Sequence, residues 1–195
     1  MHAYAAKRGS EVVLHVWNAQ RVNPALRLTL LGMALVVAGC GGDTKTYTSP
    51  SSAMEPTIHC ARPNAGCEAD AADTLVVENF SGSPERGDIL VFETPPSAER
   101  KCGIPIETLI KRVIAVPGET WEVRNGYVFI DGERLAETYV TPDRRDQTTQ
   151  PPRRVPEDML VVMGDNRSIS CDSRVFGPVP AANITGKVVE IKRAG

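Results

Sequence analysis

Three short stretches hold the residues able to do chemistry. The first is a lysine, Lys111, inside the apolar run "ETLIKRVIAV" at 107–116. Side chains alternate faces along a strand, so Lys111 shares its face with Leu109 and Val113. Burial beside them disfavours the ammonium and lowers its pKa, in the extreme by several units. An amine held neutral can accept a proton as a general base. The same lysine could instead run its charged end out along the sheet edge, with only its stem buried. The second stretch is Ser51-Ser52-Ala53-Met54-Glu55-Pro56-Thr57, two hydroxyls beside a turn. The third is "GDNRSISCDSRVFGPVP" at 164–180, following the apolar run "MLVVM". There Gly164-Asp165-Asn166-Arg167 reads as a turn whose carboxylate accepts backbone N–H groups, and Asp172 could pair with Arg174 beneath a site. A solvated connection between strands is the alternative for this stretch.

These pieces need a frame to bring them together. The chain has 195 residues, 42% hydrophobic and 24% charged, which suffices for one domain with a real core and an N-terminal appendage. A net charge of -2 gives no reason to expect nucleic acid as partner. Fifteen prolines, sixteen glycines and 5% aromatics favour strands and loops over a helical bundle. Strand signals recur at "DTLVVENF" (73–80), "DILVFET" (88–94), 107–116, "TWEVR" (120–124), "YVFI" (127–130), "ERLAE" (133–137), "EDMLVVMGDN" (157–166) and "ITGKVVEIKR" (184–193). Asn125-Gly126 and Asp131-Gly132 mark tight hairpins. Residues 95–105 read as a loop, and 141–156, "TPDRRDQTTQPPRRVP", as an exposed proline-rich excursion. The expected fold is all-β.

The N-terminus reads as a targeting segment. Lys7, Arg8, Arg21 and Arg27 precede "LTLLGMALVVAGC", an apolar run of signal-peptide length and short of the ~20 residues a span needs. Its end at Val37-Ala38-Gly39-Cys40 is similar to a bacterial lipobox, making Cys40 a lipidation candidate; an uncleaved membrane anchor is the alternative. Both place the remaining chain outside the cytoplasm, at a membrane. The expected organisation is a signal or anchor at 1–40, a tether at 41–48 and a β domain at 49–195. Four further cysteines allow three pairings. Cys60 and Cys67 flank a Pro/Gly-containing turn, so a local bridge is the first expectation, and Cys102–Cys171 follows by elimination. A zinc site is the alternative, but there is no C-x-x-C spacing and the histidines are scattered, so no metal and no cofactor is expected.

In chain order, 51–57, then 107–116, then 164–180, with "RGDILVF" (86–92) lying between the first two, the stretches resemble the signature boxes of the type I signal peptidase family, over roughly residues 47–193. That resemblance implies a membrane-associated serine endopeptidase with a Ser/Lys dyad. It implies coiled antiparallel sheets around an apolar groove, and signal peptides of exported preproteins as partners, cut after an Ala-X-Ala pattern. Carried over by position, Lys111 is the general base, Ser170 orients it, and Ser51 assists the oxyanion hole. Met54 and Pro56 flank the substrate, while Asp165, Asn166, Arg167, Asp172, Ser173 and Arg174 form the supporting loop. The nucleophile belongs at residue 53, which is Ala53. Ser168 stands where the family often has an acid.

A methyl group can neither be deprotonated nor form an acyl-enzyme. The backbone N–H of residue 53 survives, and with it half of an oxyanion hole. If residues 51–54 are extended, Ser51 lies roughly 7 Å away on the same face, and Ser52 points to the other. The readings carried forward are a signal peptidase frame impaired in catalysis and a non-catalytic peptide-binding surface lipoprotein. A self-cleaving Ser/Lys regulator is a third, opposed by the export segment. The sequence gives no reading of oligomeric state.

Overall fold

The computed structural model describes residues 43–194 apart from 65, 104 and 105. The targeting segment and Cys40 therefore lie outside the described residues. In chain order the strands are β1 (Thr44–Thr48), β2 (Thr74–Glu78), β3 (Ile89–Glu93), β4 (Thr108–Ala115), β5 (Thr120–Arg124), β6 (Tyr127–Ile130), β7 (Glu133–Arg134), β8 (Gln150–Arg154), β9 (Met159–Met163), β10 (Val179–Pro180) and β11 (Ile184–Lys192). Two short helices interrupt them, α1 (Pro96–Cys102) and α2 (Ser173–Phe176). The strands form a seven-stranded sheet, β1-β2-β11-β3-β4-β9-β10, and a four-stranded sheet, β7-β6-β5-β8. All their pairings are antiparallel. The fold is all-β.

Alternation explains how the larger sheet buries both faces. In β3, Leu90 and Phe92 join one core cluster with Leu109, Val113, Leu160 and Phe176, while Ile89 and Val91 join another with Met54, Ile58 and Leu75. The register of β4 on β9 shifts between Val113 and Ala115. That irregularity admits Ile114 and Ala115 to a third cluster with Trp121, Val123 and Val161. Asn125-Gly126 and Asp131-Gly132 both take positive φ at each residue, the turn geometry a two-residue hairpin requires.

Four local expectations need correction. Residues 44–48 of the expected tether are β1, an outer strand paired with β2, because Thr and Tyr suit an edge. The expected loop at 95–105 contains α1, with proline in its first turn and Gly103 in the left-handed conformation at its end. Seven residues are too few to show helical periodicity. The strand expected over 133–137 pairs only at Glu133 and Arg134. Within the exposed excursion at 141–156, Pro142–Arg144 make a 3-10 turn and β8 pairs with β5. Pro151 and Pro152 are tolerated because β8 is an edge strand.

Candidate active site

Lys111 is 4% exposed, flanked on its face by buried Leu109 and Val113 and paired across the sheet with buried Leu90. Its amine donates to the carbonyl of Ile110 at 3.2 Å. Burial lowers its pKa from 10.5 to about 8, opposed by the carboxylates of Asp172 and Asp165 and assisted by the charge of Arg174. Those two carboxylates are engaged elsewhere. Asp165 takes Arg112 in a two-pronged pair at 2.9 and 2.6 Å. Asp172 takes Arg174 at 2.7 Å and the N–H of Gly164 at 3.1 Å. Burial opposes the charge on both guanidiniums, but their carboxylates outweigh it and hold each pKa above its usual value. Lys111 is thus the poorly compensated cation of the site.

The amine opens on a cavity of about 190 Å³ whose walls include Tyr47, Ser51, Met54, Ile106 and Leu109. Ser51 is extended and exposed, and Ser52–Met54 then make one 3-10 turn instead of the continuous extended segment expected. The loop after β9 grips this turn. Asn166 donates its backbone N–H to Ala53 O at 3.1 Å and its side-chain amide to Ser52 O at 3.1 Å. Gly164 passes so close to Ala53 O and Ser170 Oγ that a Cβ there would press into both. Glycine is required at 164 for that approach.

A family model described as "Signal peptidase, peptidase S26" matches residues 23–192. The chain belongs to that family. A relative named "Probable signal peptidase I-1", from Synechocystis, is 37% identical over 87% of this chain and 81% of its own length. "Signal peptidase I" of Leptolyngbya laminosa is 39% identical over 72% of this chain and 64% of its own length. A crystal structure of a signal peptidase I from Enterococcus faecalis is 32% identical and covers 56% of this chain and 100% of that one, with a TM-score of 0.45.

In this member of the family, the residues of the loop after β9 are tied to one another and to their surroundings, and two features depart from expectation. Arg167 donates to Gly164 O at 2.9 Å and pairs with Glu137. Ser173 Oγ accepts the N–H of Val162 at 2.9 Å, and Ser168 Oγ bonds Asn166 Oδ1 at 2.8 Å. Cys60 is bonded to Cys67, and Cys102 to Cys171. The first departure is Ser170: its hydroxyl is buried without a hydrogen-bond partner among the described residues, because the Lys111 amine has turned to Ile110 O. The second is the 3-10 turn at Ser52–Met54 in place of an extended segment, although Ser52 faces away as expected, buried with its hydroxyl against Gly66 on the disulfide-loop side. Ala53 is half-buried and does not line the cavity.

Sequence reasoning missed the partners that hold the supporting loop. Arg112 gave a signal in being next to Lys111 on the opposite face, where it also stacks on Tyr139 at 4.1 Å. Glu137 gave none, since it is fully buried between Arg167 and Arg145, both distant in sequence or outside its motif. Glu55 was read only as part of a turn. It is fully buried, accepting from Cys60 N at 3.1 Å and lying 2.6 Å from His59 Nδ1. Glu55, His59 and Glu68 bring ligand atoms within 4.8 Å of one another, the grouping among the described residues able to meet a cation. Binding would displace the Glu55–His59 contact, and Arg144 already pairs with Glu68. Among the described residues no helix is long and apolar enough to cross a membrane.

Proposed function

We propose that this domain receives the C-region of a signal peptide, with small residues in an Ala-X-Ala pattern, along the Lys111 cavity and holds it without forming an acyl-enzyme. The observation that carries this reading is the buried Lys111 amine on the wall of a cavity shared with Ser51 and Met54, beside a turn clamped by Asn166. With serine at 53, Lys111 would take the hydroxyl proton as the oxygen attacks the scissile carbonyl. The N–H of residue 53 and the Ser51 hydroxyl would hold the oxyanion, and Ser170 would orient the lysine. Asp165, Asn166, Arg167, Asp172, Ser173 and Arg174 support the geometry. With Ala53 there is no oxygen to deprotonate, and what remains is positioning and the two oxyanion donors. Ser52 supplies no substitute, since its hydroxyl lies against Gly66 and it does not line the cavity, while Ser51 lines the cavity in the role of oxyanion donor.

The test is cleavage of an Ala-X-Ala signal-peptide substrate by this chain and by Ala53→Ser. Turnover is expected only in the variant. A folded but inert variant sinks the dyad assignment.

Ala53 itself favours a second reading, a surface lipoprotein that binds extended peptides without cutting them. It predicts peptide affinity by calorimetry with no turnover even after Ala53→Ser. Both readings place the domain on the outer side of a bacterial membrane, held by lipid on Cys40 or by an N-terminal anchor. A lipidated Cys40 at the mature N-terminus, read by mass spectrometry, selects the lipid.

A further inference from the structure

We propose that Lys111 is a covalent capture site for small apolar aldehydes, which it binds as an imine on the wall of its cavity. The amine is 4% exposed and makes a single hydrogen bond, to Ile110 O. The carboxylates of Asp165 and Asp172 favour its ammonium form but are committed to Arg112 and Arg174, and burial outweighs them. Arg174, from the start of α2, adds a like charge that further disfavours protonation. A neutral lysine amine in an apolar pocket is the arrangement that forms Schiff bases with carbonyl compounds.

The cavity selects the partner by size and polarity. Its volume of about 190 Å³ exceeds the ~150 Å³ of an apolar cavity that accepts benzene, so a single ring with a formyl group fits. Tyr47, Met54, Ile106 and Leu109 supply apolar walls, and Ser51 places a hydroxyl at the lining.

The reaction balances without a co-reactant. The nitrogen lone pair attacks the carbonyl carbon and the C–O π pair moves to oxygen. One proton from nitrogen neutralises that oxygen as a carbinolamine; the hydroxyl then leaves with the second nitrogen proton as water, and the nitrogen pair forms the C=N bond of the imine. Ser51 Oγ is the group able to donate to the carbinolamine oxygen. This capture uses the same cavity as the proposed peptide site but needs neither peptide nor turnover, so the two can fail separately.

The experiment treats the full chain with benzaldehyde and sodium cyanoborohydride from pH 6.5 to 9.5 and maps benzylated lysines by mass spectrometry. Lys45 and Lys101, both exposed, are internal controls in the same tube. At pH 8 about half of Lys111 is neutral against under 1% of an ordinary lysine, so labelling at least about tenfold faster than at the controls is expected, with a midpoint near pH 8. In urea the ratio should fall to about one, since it depends on the cavity. Lys111 labelled no faster than Lys45, a midpoint with the controls, or a preference that survives unfolding would each overturn the proposal. Lys111→Arg should abolish the fast site while leaving the Lys45 label. Because the ratio is read within the unaltered chain, the result stands even if that variant fails to fold.

Discussion

Replacing Lys111 with methionine should make the protein more stable at neutral pH. The amine is buried, and burial takes its pKa from 10.5 to about 8. A gap of about 2.5 pH units at ~1.36 kcal/mol each is a penalty of about 3 kcal/mol for keeping the proton in the folded state. The sign follows from proton counts. Between pH 8 and 10.5 the unfolded chain holds a proton that the folded one has released, so stability rises with pH across that window. The penalty is fully present below pH 8 and disappears above 10.5. Methionine fills a similar volume with no charge, at the loss of one hydrogen bond to Ile110 O. Chemical unfolding in urea at pH 7 and at pH 9.5, on both proteins, gives the comparison. Methionine is expected to lead by about 3 kcal/mol at pH 7, and its lead should shrink by about 2 kcal/mol at pH 9.5. Taking the difference cancels every other group that titrates in that range. A lead that stays constant within about 0.5 kcal/mol would show that Lys111 reaches solvent and keeps an ordinary pKa, which removes its standing as a base at neutral pH.

Asn166→Ala removes the side-chain bond to Ser52 O, which keeps the N–H of Glu55, for about 0.5–1.5 kcal/mol of stability and weaker peptide binding, read by urea midpoint and calorimetry. The backbone bond from residue 166 to Ala53 O persists, so a partial loss is expected. Cys102–Cys171 closes a span of 69 residues and Cys60–Cys67 one of 7. Loop-closure entropy then sets losses of about 4 and about 2 kcal/mol when each pair is changed to alanine, so the first pair should lower the unfolding midpoint more.

What the sequence showed of this site depended on whether an interaction was local. Alternation in one strand was enough to place Lys111 between Leu109 and Val113, and two Xaa-Gly dipeptides fixed two hairpins. The 164–174 motif was legible as a polar cluster because its internal bonds span few residues, such as Asp172 capping α2 through the N–H of Arg174 at 3.2 Å. The bonds that aim that cluster at the turn were not legible. Asn166 reaches back 114 residues to Ser52, and Arg112 crosses 53 to Asp165. Neither pair has a sequence spacing that any local rule reads. The same limit hid α1, whose role is to carry Cys102 to Cys171, and β1, whose edge contributes Tyr47 and Thr48 to the cavity.

Those long-range bonds also determine what Ala53 changes. Asn166 holds residues 52 and 53 by their carbonyls, and Gly164 packs against the Ala53 carbonyl, so these grips on the turn are to backbone. None of it senses the side chain at 53. Loss of the hydroxyl therefore deletes the reacting atom and leaves the frame, and restoring it should be nearly free in stability. Ala53→Ser is expected to shift the unfolding free energy by no more than about 0.5 kcal/mol, the range of substitutions that break no buried contact. Residue 53 is only half-buried, so the new hydroxyl can meet solvent. The informative result is this neutrality together with recovered cleavage. A destabilisation of several kcal/mol would mean that the turn has repacked around the methyl, and an inert Ala53→Ser variant would then report a damaged site and leave the dyad assignment standing.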